Sequence, residues 1–204
     1  MATVFLARHG QTAYNLEGRF QGQQPVPLDD TGRAQAGELA ERAAGYDFAA
    51  LWCSPLLRAR ETAEIVSARI DLQAREDTRL METDAGDWTN RTFADVQTEA
   101  PGLFEKFFTG NPAFAFPGGE SFAAQEVRVD AALRDIEAGA LPALVVCHGM
   151  VIRAALSARG GEWLPNGQRV LNGAIVPLDP AAAADRSKIG QRADLGDEGA
   201  TVAS

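Results

Sequence analysis

The sequence predicts an α/β domain with helices packed on both faces of a mostly parallel sheet, and three observations carry that prediction. Short, uniformly apolar runs recur at Thr3–Ala7, Phe48–Cys53 and Ala143–Cys147, the pattern of strands buried on both faces. Segments with helical spacing of apolar residues separate them, as an alternation of strand and helix requires. Both histidines of the chain directly follow such runs: Arg8-His9-Gly10 after the first and Cys147-His148-Gly149 after the third. Ligands of such sheets bind at the carboxyl ends of the strands, so the two imidazoles are expected to share one pocket.

The elements follow in order. After the first strand, Gln11–Asp30 has glycines, prolines and little periodicity, and reads as a long loop over the pocket mouth. A helix from about Thr31 buries Ala36, Leu39, Ala40 and Ala43 and stops at Gly45. Phe48–Cys53 is followed by Ser54-Pro55, read as an N-cap serine with proline at the first helical position. That helix carries Ala59, Ala63, Val66 and Ile70 as its apolar stripe, and Arg58 in its first turn. Residues 76–119 are the least regular part. They hold Leu80-Met-Glu82, Gly86-Asp-Trp88 and six phenylalanines between positions 93 and 116, and short helices forming a cap are expected over 83–118. Ser121 starts a helix with Phe122, Val129, Leu133 and Ile136 inward. Ala143–Cys147 leads into a helix over 149–159 with Ile152, Ala155 and Leu156 inward, and Gly173–Leu178 is a further strand. One domain over 1–184 and a polar, mobile tail over 185–204 complete the expected organisation.

With 204 residues and 46% hydrophobic content the chain can build an ordinary core. Its two cysteines, Cys53 and Cys147, end apolar runs and read as reduced core residues of a cytoplasmic protein, although Cys147 adjoins a catalytic candidate and could respond modestly to oxidants. No metal-ligand spacing is present, and neither a metal nor a cofactor is expected. The net charge of −9 argues against a nucleic-acid partner while leaving room for a small anionic substrate in a locally positive pocket. No apolar stretch reaches membrane-spanning length, and cleavage of a secretory leader would disrupt the strand leading into Arg8 and His9. Monomer and homodimer both stay open.

The candidate chemistry centres on His9. A near-neutral imidazole with one nitrogen held as donor and the other free is a competent nucleophile towards phosphorus. Arg8 and Arg58 supply permanently charged planar forks suited to phosphoryl oxygens. His148 would stabilise the oxygens of the group in transfer, with the amides of the helix after it also facing an anion. Glu82 is a candidate general acid, a role that burial would favour by tightening its hold on the proton, though spacing hardly separates it from Asp84 or Asp87. Asn15, Gln21 and Gly22 lie in the first loop, where amides can bind oxygens without adding charge. Gly10 allows a tight turn and close approach of a phosphate to backbone amides, and Trp88 reads as a packing anchor.

Together these segments resemble the histidine phosphatase superfamily, the phosphoglycerate-mutase-like group. The matching pieces are Leu6-Ala-Arg-His-Gly-Gln-Thr-Ala-Tyr-Asn15, Gly18-Arg-Phe-Gln-Gly22, Pro27-Leu28 with Thr31-Gly-Arg-Ala-Gln35, and Ser54-Pro-Leu-Leu-Arg-Ala-Arg-Glu-Thr-Ala63. Leu80-Met-Glu82, Gly86-Asp-Trp88, Pro117-Gly-Gly-Glu-Ser121 and Val146-Cys-His-Gly-Met-Val-Ile-Arg153 follow in the family's order. The resemblance implies a three-layer α/β/α fold and metal-independent chemistry through a phosphohistidine on His9. It further implies a phosphate clamp of Arg8, Arg58 and His148, a proton donor in Glu82, and additional oxygen ligands in Asn15 and Gln21. Gly22 would lie beside the substrate, and Glu120 and Ser121 would support the pocket. Two departures stand out. Trp88-Thr89-Asn90 replaces a common Trp-Glu-Gly, which bears on the support of the acid, and an aspartate usual before the loop proline-leucine is absent from Gln23–Leu28.

A mutase must hold a second anionic group, yet between Glu82 and Pro117 only Arg91 and Lys106 stand against six phenylalanines. The expected activity is therefore a phosphoric monoester hydrolase of the histidine acid type acting on a small molecule. A cofactor-dependent phosphoglycerate mutase is the alternative, and a non-catalytic phosphate-binding protein a further one. Within the phosphatases, a broad-range phosphomonoesterase, a phosphoserine phosphatase, an α-ribazole phosphatase and a sugar bisphosphatase stay open.

Overall fold

A computed structural model describes residues 3–159, 169–178 and 195–196. Four strands, β1 (Val4–Arg8), β2 (Ala50–Cys53), β3 (Ala74–Glu76) and β4 (Ala143–Cys147), run parallel in the order β3-β2-β4-β1. The two-residue β5 (Arg169–Val170) precedes β6 (Ile175–Pro177), which closes the β1 edge antiparallel. β3 escapes the sequence pattern because it is a short edge strand, Ala-Arg-Glu, without apolar alternation. Of the expected tail, Leu195–Gly196 pairs as β7 with β5, and the rest lies outside the described residues.

Alternation along β1 and β4 divides the core. Phe5, Ala7, Leu144 and Val146 face α2 (Asp30–Ala43) and α3 (Leu57–Ile70). Val4, Leu6, Val145 and Cys147 face α6 (Phe122–Glu137) and α7 (Gly149–Ala158). The result is the three-layer α/β/α sandwich. The expected helical stripes hold, with Ile70 at the end of α3 and Leu156 on α7 only partly buried. Within the first loop the structure adds a short helix, α1 (Ala13–Leu16), started by a capping box in which the Thr12 hydroxyl and the Asn15 side chain satisfy each other's backbone amides.

A third cluster stands apart from the sheet. Phe20, Trp88, Phe114, Phe116 and Phe122 bury their rings against α4 (Phe93–Glu99) and α5 (Pro101–Phe108). Trp88 is the packing anchor that its position implied, with rings of Phe20, Phe107, Phe114 and Phe116 between 5.1 and 6.0 Å away.

Strand register positions the site. Arg8 pairs with Cys147, and Cys53 with Val146, so β1, β4 and β2 end side by side. The ladder continues one residue further on each side, with His9 N donating to Cys147 O and Ser54 N to Val146 O, both at 3.0 Å. His9, His148 and Ser54 therefore emerge from neighbouring strands at one level.

Candidate active site

His9 is almost fully buried, and its Nδ1 lies 2.6 Å from the carbonyl of Gly10. A carbonyl can only accept, so Nδ1 carries the proton and Nε2 keeps its lone pair. The Nε of Arg58 donates to that Nε2 at 3.3 Å. Burial first, then the charges of Arg58 and Arg8, hold the pKa of the His9 imidazole well below its usual value, against the opposing pull of Gly10 O. Neutral His9 is the state this arrangement favours.

Arg58, 1% exposed, is held by the carbonyls of Gly22 and Gln24 at 2.9 and 3.1 Å. Desolvation lowers its pKa to about 10, partly offset by the charge of Glu82, so it stays cationic at neutral pH. Arg8 reaches the cavity with a further donor tied to Val170 O. Thr62 threads the two motifs together: its hydroxyl accepts from Gly10 N at 3.1 Å and donates to Arg58 O at 2.8 Å. The Gly10 amide is thus spent on Thr62 rather than offered to a phosphate. Glycine is needed there because a Cβ would stand 2.2 Å from Gly32 O.

His148 is 0% exposed and lies behind the cavity wall, its ring centroid 5.2 Å from that of His9. Burial, Arg58, His9 and Arg8, in that order, lower its proton affinity well below the ordinary value. Its Nε2 is 2.8 Å from the hydroxyl of Ser54, and its Nδ1 is buried without a hydrogen-bond partner among the described residues. Ser54 is not the N-cap expected from the sequence. The cap is Leu56, without a side-chain bond, because the Ser54 hydroxyl is taken by His148 and by Leu56 N at 3.2 Å.

Glu82 lines the cavity half-buried. Its Oε1 accepts from Thr83 N at 2.9 Å and its Oε2 from Met150 N in the first turn of α7 at 3.4 Å. One helix amide expected to face an anion therefore already faces Glu82. The Glu82 backbone is fixed by Arg128, which forks onto Glu120 and donates to the carbonyls of Arg79 and Met81. The support expected of Glu120 is real, and Arg128 is its missed half. Support of Glu82 passes through these residues and not through Thr89-Asn90. Asn90 instead takes a left-handed backbone (φ 70°), and its side chain accepts from Tyr14 at 2.6 Å.

Asn15 and Gln21 also line the cavity, but their carbonyl oxygens accept from the Thr12 amide at 3.1 Å and the Thr12 hydroxyl at 2.9 Å, leaving their amide nitrogens to meet a ligand. Gly22 lines it too, and its carbonyl orients Arg58. Asn172, which sequence reasoning passed over, donates to His9 O at 2.9 Å from the loop before β6; its Asn-Gly turn was the only signal. Both thiols are buried, and burial pushes Cys53 up to about 12 and Cys147 higher still, which disfavours the thiolate that an oxidant response of Cys147 would need. Among the described residues no group of three His, Cys, Asp or Glu side chains is placed to hold a metal ion, and no helix is long and apolar enough to cross a membrane.

The cavity, of about 450 Å³, joins this charged floor to the phenylalanines of 83–118. Fold and site together define an α/β domain with two histidines at adjoining strand ends and two arginines beside them, Arg8 ending β1 and Arg58 in the first turn of α3. The chain belongs to the histidine phosphatase superfamily (branch 1), whose family model matches residues 4–180. The probable phosphoglycerate mutase GpmB of Salmonella choleraesuis (strain SC-B67) is 33% identical over 184 residues, 88% of this chain and 85% of that protein. A mycobacterial glucosyl-3-phosphoglycerate phosphatase complexed with VO3 superposes with a TM-score of 0.77 at 32% identity, over 86% of this chain and 90% of that one. A Thermus thermophilus protein, TTHB049, gives 0.70 at 34%, over 86% and 92%. Phosphatase and mutase activity both fit this membership.

Proposed function

We propose that the protein is a metal-independent phosphomonoesterase that works through a phosphohistidine on His9. The observation that carries this is the His9 tautomer: Nδ1 is tied to Gly10 O, and Nε2 is presented unprotonated beside Arg58. Nε2 attacks phosphorus, the ester P–O bond breaks, and the departing alkoxide takes its proton from Glu82. Water then gives a proton to the Glu82 carboxylate and attacks phosphorus, the P–N bond breaks, and inorganic phosphate leaves. Arg8, Arg58 and His148 hold the equatorial oxygens, where charge accumulates, with the amides of Asn15 and Gln21 as neutral donors. The orphaned His148 Nδ1 supports that role. With Ser54 donating its hydroxyl proton to Nε2, a neutral His148 keeps its proton on Nδ1 for a phosphoryl oxygen. Residues 83–118 act as the cap, and two buried thiols suit a cytoplasmic location.

A phosphoglycerate mutase is the second reading, favoured by the GpmB relatives and by Arg19 and Arg153 on the cavity wall. Arg19, however, is already paired with Glu17 at 2.5 Å and donates to Asn90 O at 2.7 Å. Turnover of para-nitrophenyl phosphate with chelator present, and an acid-labile phosphoprotein that disappears in His9→Ala, are the expected results. A normal level of that phosphoprotein in His9→Ala would remove the mechanism. Conversion of 3-phosphoglycerate to 2-phosphoglycerate, stimulated by the bisphosphate, would make the enzyme a mutase.

A further inference from the structure

The helix α5 reads Pro-Gly-Leu-Phe-Glu-Lys-Phe-Phe, and none of its eight residues is buried. Three phenylalanines on one short helix would ordinarily be drawn into a core. Here Phe107 reaches the inner cluster, with its ring 5.2 Å from that of Phe20 and 5.6 Å from that of Phe116, yet it stays partly exposed. Phe104 and Phe108, one turn apart, lie nearly parallel at 18° with centroids 6.2 Å apart. All three line the same cavity as His9 and Arg58.

The space is therefore two-faced: a charged floor at the strand ends and an aromatic wall on α5. At about 450 Å³ it holds far more than a phosphoryl group, within the range of pockets that enclose a whole small molecule. Apolar surface left against water is covered favourably by an apolar ligand, and flat rings accept either a chain or a ring. Lys106 on α5 itself is exposed, and of the arginines on the cavity wall Arg19 is engaged by Glu17 while Arg153 lies against the Met150 sulfur at 3.7 Å. We propose that the substrate is a phosphate monoester of an alcohol whose apolar chain or ring lies against Phe104, Phe107 and Phe108. The proposal rests on the phosphomonoesterase reading above.

A homologous series of n-alkyl phosphates, from ethyl to octyl, tests it. Leaving-group acidity barely changes along the series, so a trend in kcat/KM reports burial of the chain and not the chemistry. The expected rise is about three- to fourfold per methylene over the first several carbons, the value for moving a methylene out of water. The double variant Phe104→Ser/Phe108→Ser should flatten the octyl-to-ethyl ratio, a quotient independent of how much protein is active, and Phe104→Ser alone should flatten it partway. A flat or falling series with turnover intact would overturn the apolar substrate class and leave the phosphatase standing. No turnover of any member, nor of para-nitrophenyl phosphate, would overturn the phosphatase reading and this proposal with it.

Discussion

The strand ends and the 83–118 segment solve opposite problems. At the strand ends, polar groups are buried and each is held by a partner on a neighbouring element: Gly10 by Thr62, Arg58 by Gly22 and Gln24, His148 by Ser54. Over 83–118, apolar rings hold one another while some of their faces stay open to the cavity. Position in the first region is set by hydrogen-bond geometry, which tolerates little error. In the second it is set by packing, which accepts many shapes of ligand. On the proposed reading, chemistry belongs to the register of three strands and choice of substrate to the aromatic surface beside them.

Substitutions in each region separate these contributions. Phe114 is buried at the heart of the aromatic cluster, with the rings of Phe116 and Phe122 at 4.9 and 4.7 Å. Phe114→Ala should cost about 3–5 kcal/mol of stability, seen as a lower urea midpoint, while the protein that remains folded still binds vanadate. Loss of vanadate binding by that folded fraction would mean that the two regions are not separable. Glu82→Gln comes next. It should slow alkyl esters by about 10²–10³-fold and para-nitrophenyl phosphate much less, because only the poor leaving group needs the proton. Equal losses for both would assign the proton transfer elsewhere.

Ser54→Ala has a smaller effect with a sharper meaning. It leaves the buried His148 Nε2 without a partner, so the ring loses the bond that selects its tautomer. A decrease of about tenfold in kcat, equal to about 1.4 kcal/mol, is expected with a milder change in KM, and Ser54→Thr should recover part of it. A lower melting temperature with unchanged kcat would reduce Ser54 to a structural role.

The three buried strands, their order of use and the meeting of the two histidines were legible because each rests on local pattern: an apolar run followed by a break. Arg8, His9, Arg58 and Glu82 stand on the cavity as expected, with His148 directly behind. What stayed illegible is carried by long-range hydrogen bonds between ordinary polar residues. Thr62, Arg128 and Asn172 sit in unremarkable helix or turn positions, and only the fold shows what they hold. Ser54 was misread because a serine before a proline satisfies the capping rule locally, whereas the buried imidazole 94 residues away has the stronger claim on its hydroxyl. β3 was missed for a simpler reason, since a three-residue edge strand leaves no periodicity to detect.

The last prediction concerns pH, and it too divides the two regions. In the unfolded chain both imidazoles take a proton near pH 6.5. In the folded protein burial, reinforced by Arg58 and Arg8, lowers both well below that value. Below pH 6.5 the unfolded state therefore binds more protons, and stability falls with pH until the folded imidazoles protonate in turn. Each histidine contributes at most about 1.4 kcal/mol per pH unit in that window. Chemical denaturation at pH 7.5, 6.5 and 5.5 should show the loss between the last two values, and His148→Gln should make it shallower. Phe114→Ala, in a region that buries no imidazole, should shift the whole curve downward without changing its slope. A wild-type stability that is flat from pH 6.5 to 5.5 would mean that both imidazoles protonate as readily folded as unfolded, and that burial beside Arg58 and Arg8 does not hold them neutral in acid.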